Sequence, residues 1–355
     1  MTSVDVAIVG GGVMGLATAW RLAGSGASVL LIERFEVGHD RGSSHGATRI
    51  FRYAYDDPLY VRMAQQSLPM WNELDPGLVT ITGGVDVGDP ARLEAVADAL
   101  ESCGAPAVWV DAERLGWFRG TGPAVFSPDT GVIAAADAVR ALRARIDAEV
   151  WEHTAVLSIN ADADGVALET DRGAVTARRA VIAAGAWTGP MLAETGIDIP
   201  LRVTREQVFY FDKRGDADIP VLIDWAPIAR YAVPTPGGAK GVKVGEHHAA
   251  NETIAEDRDF EPDPAGRGRV IAFVRESFPS LDPDPVAFET CLYTNTPDEH
   301  FVIDAAGSLV VVSPCSGHGF KFAPLIGEAA AALVTDRAPP IDLSPFSLVR
   351  FGRRG

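Results

Sequence analysis

The stretch from Val4 to Glu33, VDVAIVGGGVMGLATAWRLAGSGASVLLIE, leaves this chain few ways to fold. A short apolar run meets glycines, continues with helical spacing and returns as a second apolar run ending on an acid, which is the order of one βαβ unit. The three glycines have separate tasks. Gly10 allows the tight turn off the strand, Gly12 lets a pyrophosphate approach the backbone, and Gly15 lets the helix pack closely on the strand. The helix N-terminus, with free N–H groups and partial positive charge, then faces the phosphates. Glu33 follows about 20 residues beyond the glycines, where a carboxylate accepts hydrogen bonds from an adenosine ribose. The unit predicts a dinucleotide site, and its spacing leaves FAD and NAD both open.

The chain of 355 residues is long enough for two lobes. With 47% apolar and 22% charged residues it reads as globular. The formal charge of −17 would repel a phosphate backbone, which argues against a nucleic-acid partner. No apolar run reaches the length of a membrane span, and Met1 to Asp5 shows no secretory pattern, so the expected location is cytoplasmic with no membrane partner. The three cysteines, Cys103, Cys291 and Cys315, stand in no metal-like spacing. His247-His248 has no carboxylate or cysteine at ligand spacing, and no metal is expected. Ser316 and His318 lack a nucleophile elbow, which argues against a hydrolase.

A long polar loop, Gly38 to Gly46, follows the βαβ unit, and loops of that length usually line sites. Tyr60 to Leu74 has helical spacing, and Val79 to Gly88 reads as one strand. An amphipathic helix lies in Ala91 to Val125, with Cys103 at its end. The alanine-rich run from Gly131 to Val150 reads as a helix. Strands are expected near Val150–Ile159, Gly165–Thr170 and Ala174–Ala184, the last returning to the parallel sheet begun at Val4, so that the nucleotide domain is discontinuous. Ile199–Phe211, Val221–Val233 and Gly241–Gly245 read as an antiparallel sheet covering one face of the cofactor. Val270–Phe278 reads as a short helix. Two strands then return to the nucleotide domain before a last helix, Leu325 to Thr335.

Three motifs in order, GSSHGATRIFRYAY, CLYTNTPDEHFVID and SGHGFKFAP, resemble the monomeric sarcosine oxidase and N-methyltryptophan oxidase group of the D-amino-acid oxidase superfamily. The resemblance covers essentially the whole chain and implies FAD as cofactor. It implies an α/β (α+β overall) architecture: a Rossmann-like FAD-binding domain over 1–85, 130–197 and 289–355, with a substrate domain on a mainly antiparallel sheet over 86–129 and 198–288. It also implies oxidation of the C–N bond of a secondary or N-methyl amino acid. A hydride passes to flavin N5, O2 is reduced to hydrogen peroxide and the imine is hydrolysed. The expected partners are a small amino-acid substrate and O2, and the expected state is a monomer or weak homodimer. The rival readings are a flavin dehydrogenase that passes electrons to a partner protein and a non-catalytic flavin-binding subunit.

By the same resemblance Cys291 is joined through sulfur to the 8α carbon of the flavin, and Cys315 is packing. Arg52 and Lys321 bind the substrate carboxylate, one as a bidentate fork and the other as a point charge. Lys243 sits over the flavin, where a fixed positive charge stabilises the negative charge that develops on oxygen. His45 and Arg49 lie near the ring and His247 is a pocket histidine. Tyr55, Tyr231 and Tyr293 complete the substrate site. The cofactor site takes in Val13, Met14, Arg34, Ser43, Ser44, Gly185, Trp187, His318 and Phe320, with Gly317 and Gly319 shaping a turn at the pyrimidine edge. A helix beginning near Pro324 aims its positive end at flavin N1. Tyr53 and Ala232 depart from the group's pattern. Loss of an aromatic at 232 predicts extra room and a substrate larger than sarcosine.

Overall fold

In the computed structural model, residues 2–235 and 241–352 are described; Met1, residues 236–240 and residues 353–355 lie outside them. Five strands run parallel in the first sheet, in the order Glu149–Trp151, Val29–Ile32, Thr2–Val9, Gly173–Ile182 and Leu309–Ser313. Val302–Ala306 adds an antiparallel edge, and Val156–Ala161 with Val166–Thr170 form a hairpin on the early half of Gly173–Ile182. The helices Val13–Leu22 and Ala323–Val334 pack together on one face of this sheet. Gly327 permits that contact, because a Cβ there would stand 2.5 Å from the backbone of Ala17.

The second sheet has eight strands: Ala287–Asn295, Arg202–Phe211, Val242–Glu246, Arg230–Pro234, Val221–Trp225, Gly84–Gly88, Pro123–Ser127 and Val108–Asp111, in that order. All its pairings are antiparallel except that of Val221–Trp225 with Gly84–Gly88. Its strands alternate in the expected way. Phe209, Phe211, Leu222, Ala232, Val242 and Val244 turn to a core covered by the helix Pro264–Ser277. Val208, Ile223, Tyr231, Val233 and Lys243 turn the other way, towards the first sheet. A third, small sheet of Thr48–Phe51, Gly131–Ala134 and Val79–Ile81 sits between the two.

Several elements differ from the sequence expectation. Val79–Gly88 is two strands in different sheets, broken at Thr82 and at Gly83, whose φ is +70°. The alanine-rich helix starts only at Ala135, because Gly131–Ala134 is claimed by strand pairing on both sides. A Cβ at Gly131 would lie 2.2 Å from the Thr80 carbonyl, so glycine is what lets that strand fit. The expected strand Val150–Ile159 is two strands at opposite edges of the first sheet, and Val221–Val233 is a hairpin rather than one strand. The helix expected at Val270 begins at Pro264. Asp263 caps it by accepting from the Gly266 N–H at 2.6 Å, a device repeated by Asp57-Pro58 and Asp89-Pro90 at two other helices.

Sheet membership also moves the lobe boundaries. Gly84 and Val85, and residues 289–295, were expected in the FAD-binding lobe, yet they are hydrogen-bonded into the second sheet. We therefore draw the substrate lobe to include them. Among the described residues no helix is long and apolar enough to cross a membrane.

A side chain at residue 327 would meet the Ala17 backbone, which cannot relax by a rotamer change. Gly327→Val is expected to cost about 1–3 kcal/mol of stability, read as a lower urea midpoint at unchanged m-value.

Candidate active site

The carboxyl ends of the parallel strands open into a cavity of about 620 Å³ beneath the second sheet, a size in the usual range for ligand sites. Val9–Gly12, Ile32–Phe35, Ala183–Trp187 and Val312–Pro314 line it from the first sheet, as expected where such strands end. Gly10 has φ +108°, and a Cβ on it would lie 2.4 Å from the Ala183 carbonyl. Gly15 is behind the lining, where a Cβ would stand 1.9 Å from the Gly10 carbonyl. Gly12 brings the helix N-terminus to the cavity without a side-chain cap, and Ser44 Oγ reaches across to accept from the Val13 N–H at 3.0 Å. Glu33 accepts from the Gly11 N–H at 2.6 Å and the Phe35 N–H at 2.8 Å. Burial acts to raise its pKa, but His39 and these two N–H groups outweigh it and hold the carboxyl below the usual range.

These residues fit a flavin dinucleotide. Backbone N–H groups wait for phosphates, an ionised acid waits at the end of the second strand, and the walls carry orphaned polar atoms. His45 Nε2, Trp187 Nε1 and Ser313 Oγ are all buried without a hydrogen-bond partner. Each belongs to a residue lining the cavity, and buried polar groups left unpaired are costly.

The loop after Glu33 is tied down by arginines. Arg49 donates to the carbonyls of Thr48 (2.8 Å), Ser43 (2.9 Å) and His45 (2.6 Å), and Ser43 Oγ donates to the Leu292 carbonyl. Arg258, largely buried, joins the Asp40 carbonyl (2.7 Å) to both the carbonyl and the hydroxyl of Thr290, next to Cys291. Cys291 shares one strand face with Glu289 and Tyr293, and all three line the cavity. Burial pushes its thiol up to about 11, against the pull of Arg49 and Arg258. His45 is driven down to about 4 by burial and then by Arg49. Lys243 donates to the Thr48 carbonyl, and its pKa falls to about 7 through burial and then through Arg49, with Glu289 opposing.

The other end of the cavity is cationic. Lys321, 4% exposed, donates to Tyr55 Oη and to the His318 carbonyl, both at 2.7 Å. Burial and then Arg52 lower its pKa well below the ordinary lysine value. Arg52 lies with its Cζ 4.5 Å from the Tyr55 ring centroid. His247 packs against Tyr293, with centroids 5.5 Å apart, and is held neutral mainly by burial. Gly317, φ +75°, makes room for both rings, since a Cβ would come within 2.4 Å of Tyr293 and 2.6 Å of His247. Gly319 allows the next turn, where a Cβ would be 1.5 Å from the Pro314 carbonyl. A 3-10 turn, Phe320–Phe322, precedes the final helix at the cavity rim.

The site residues expected from the sequence line this one cavity, including Met14, Arg34, Gly185, Tyr231 and Phe320, apart from Gly15 and Tyr55. Tyr55 stands behind the wall, where it orients Lys321 and lies 3.3 Å from His318 Nδ1. The expectation of extra room at Ala232 is corrected. Ala232 is fully buried in the core on the far side of its strand, because Tyr231 and Val233 take the cavity face. Tyr53 likewise packs on Phe51 in the core and does not line the cavity. Sequence reasoning missed Asp86, Trp225, Arg258 and Glu289. Strand alternation two places before Cys291 points to Glu289, and an acid between valines in GVDVG points to Asp86. Arg258 comes from an irregular segment without a comparable signal.

A nucleotide-binding sheet roofed by a second sheet that carries cations defines a flavin-dependent oxidoreductase. The chain matches the FAD dependent oxidoreductase family (DAO) over residues 5–333 and belongs to it. It is similar to the monomeric sarcosine oxidase of Bacillus sp. (strain B-0618), at 32% identity over 98% of this chain and 96% of that one. It is also similar to the N-methyl-L-tryptophan oxidase of Escherichia coli (strain SMS-3-5 / SECEC), at 27% identity over 98% and 99%. Among solved structures it resembles the open form of NikD, "an unusual amino acid oxidase essential for nikkomycin biosynthesis", with TM-score 0.89, 26% identity and 98% of each chain covered.

Lys243 titrates near 7 in the fold and at 10.5 when free. Between those values the unfolded chain holds a proton that the folded chain lacks, so stability rises with pH through that window, and the burial cost is fully present below about pH 7. Flavin-free protein made under riboflavin starvation should show a urea midpoint rising from about pH 7 to 9, with a flatter profile in Lys243→Met. Parallel profiles for the two proteins would refute the assignment.

Proposed function

We propose that this enzyme oxidises the C–N bond of a secondary or N-methyl amino acid with O2 as acceptor. The observation that carries the reading is a pair of neighbouring cations, the buried Lys321 and the largely covered Arg52, at one end of a flavin-sized cavity. A lysine whose charge is disfavoured by burial and by a neighbouring guanidinium is stabilised by an anionic ligand. A carboxylate suits them, because guanidinium offers a fork and ammonium a point charge. FAD, when bound, supplies the acceptor for the two electrons of the substrate C–H and passes them to O2, giving hydrogen peroxide.

The chain's own residues do the positioning. Tyr55 and the His318 carbonyl fix the Lys321 ammonium, which fixes the carboxylate. His247, neutral because it is buried, contributes an acceptor nitrogen without adding to the positive field around the amine. Tyr231 and Tyr293 line the intervening wall. Lys243, on the roof, places a cation on the cavity face for negative charge developing on oxygen. Burial, and after it the like-charged neighbour Arg49, keep it easily deprotonated.

Cys291 is the residue for covalent attachment through its sulfur. Its support is its place on the cavity face of the strand, with Arg49 and Arg258 near enough to offset part of the burial that holds the thiol protonated. The three cysteines are free, which suits a cytoplasmic, reducing setting, and the word "monomeric" in the name of the Bacillus relative supports a monomer.

Acid-precipitated protein should stay yellow and heavier by one FAD, and Cys291→Ser should release its flavin. Flavin that washes out of both would end the covalent assignment. With N-alkyl amino acids as substrates, Lys321→Met should lower kcat/KM for peroxide production about 10- to 100-fold, the weight of one charge-assisted hydrogen bond. Unchanged kcat/KM would remove Lys321 from the carboxylate site.

A further inference from the structure

The strand Gly84–Gly88 presents one side chain to the cavity side of the second sheet. Val85 and Val87 point into the opposite core, and Gly84 and Gly88 carry no side chain. Glycine is required at both flanks: a Cβ on Gly84 would lie 2.4 Å from Thr130, and one on Gly88 would lie 2.9 Å from the Trp225 backbone. Asp86 is left between them, 3% exposed, beside the cationic end of the cavity.

Its Oδ1 has two partners. Trp225 Nε1 donates to it at 2.9 Å, and Arg52 Nη1 stands 3.5 Å from the same atom. Trp225 lines the cavity, with the Arg52 guanidinium 5.2 Å and the Arg92 guanidinium 4.6 Å from its ring centroid. Arg92 is itself held by Asp56 at 2.8 Å. An indole fixed at its edge by a buried carboxylate and faced by two guanidinium groups is a rigid wall. It occupies the space beside the arginine that takes the carboxylate, which is where the substituents on the substrate's α-carbon must lie.

We propose that Trp225 is the specificity-determining wall of the amino-acid pocket, that Asp86 positions it together with Arg52, and that the pocket therefore takes amino acids with short side chains and turns away bulky aromatic ones. The proposal rests on the carboxylate-binding reading given above. It replaces the expectation of a larger substrate, since the residue thought to open the pocket faces away from it and Trp225, from the neighbouring strand, closes it.

Asp86 has two separable duties. As an acceptor it anchors the indole N–H. As an anion it shares the charge of Arg52, so that the substrate carboxylate competes with it for that guanidinium. Asparagine keeps the first duty and loses the second, whereas leucine loses both.

The test uses flavin-loaded wild type, Trp225→Ala, Trp225→Val, Asp86→Asn and Asp86→Leu. Dissociation constants of two non-oxidisable carboxylates, propionate and indole-3-acetate, are read from the perturbation of the flavin spectrum. Opening the wall should shift the ratio of the two constants at least about 10-fold towards indole-3-acetate, the size of effect that a contact worth about 1.4 kcal/mol produces. Either Trp225 variant that retains flavin serves. Asp86→Leu should shift the ratio in the same direction, and Asp86→Asn should leave it near the wild-type value while tightening both carboxylates. A ratio unchanged within about two-fold in a flavin-loaded Trp225 variant would overturn the proposal. Turnover of sarcosine and N-methyl-L-tryptophan on the same preparations reports separately on the activity. Failure of wild type to oxidise any N-alkyl amino acid would sink the functional reading, while the binding ratio would still decide the role of Trp225.

Discussion

Everything in the cavity depends on one parallel pairing, that of Thr2–Val9 with Gly173–Ile182. These strands are far apart in the chain, and at their carboxyl ends the Ala183 N–H donates to the Val9 carbonyl while Gly10 turns away against the Ala183 carbonyl. The turn leaves no space for a side chain at residue 10. Once it is made, the helix N-terminus, Glu33 and the Ala183–Trp187 segment all face one volume. The small third sheet extends the effect, for it carries the Thr48–Phe51 strand under Lys243 and sets Arg49 and Arg52 along the cavity floor.

The second constraint is electrostatic. A chain with a net charge of −17 gathers Arg49, Arg52 and the buried Lys243 and Lys321 around one space. Placing cations together away from water is costly, and the depressed pKa values of Lys243 and Lys321 record it. The compensation is local. Carbonyls of the 43–48 loop absorb Arg49, Asp86 faces Arg52, and Tyr55 and a carbonyl hold Lys321. Strain of this kind is expected of a site that waits for anionic partners, since a bound dinucleotide and a carboxylate relieve what folding leaves unpaid.

Residues with a local rule were legible in the chain. The glycine turn and Glu33 follow from the spacing of a βαβ unit, and the parallel return of residues 173–182 follows from an apolar strand that runs into Gly185 and a new helix. Elements whose fate depends on a distant partner were read less well. Gly131–Ala134 has the composition of a helix and becomes a strand because two other strands bracket it. Val79–Gly88 looks continuous but belongs to two sheets, since a left-handed glycine at 83 redirects the chain.

Sequence alone determined the nucleotide-binding half, because it rests on spacing and on residue type, and the resemblance of its motifs to a known family implied most of the residues that line the cavity. Only the tertiary structure decided which way each of those side chains points. Ala232 faces a core and Trp225 a cavity, although both lie in one hairpin, because strand register and the burial of the opposite sheet face set the alternation. Arg258 beside Cys291, and Asp86 facing Arg52, are likewise products of pairing between segments remote in the chain, and spacing along a sequence carries no record of such a meeting.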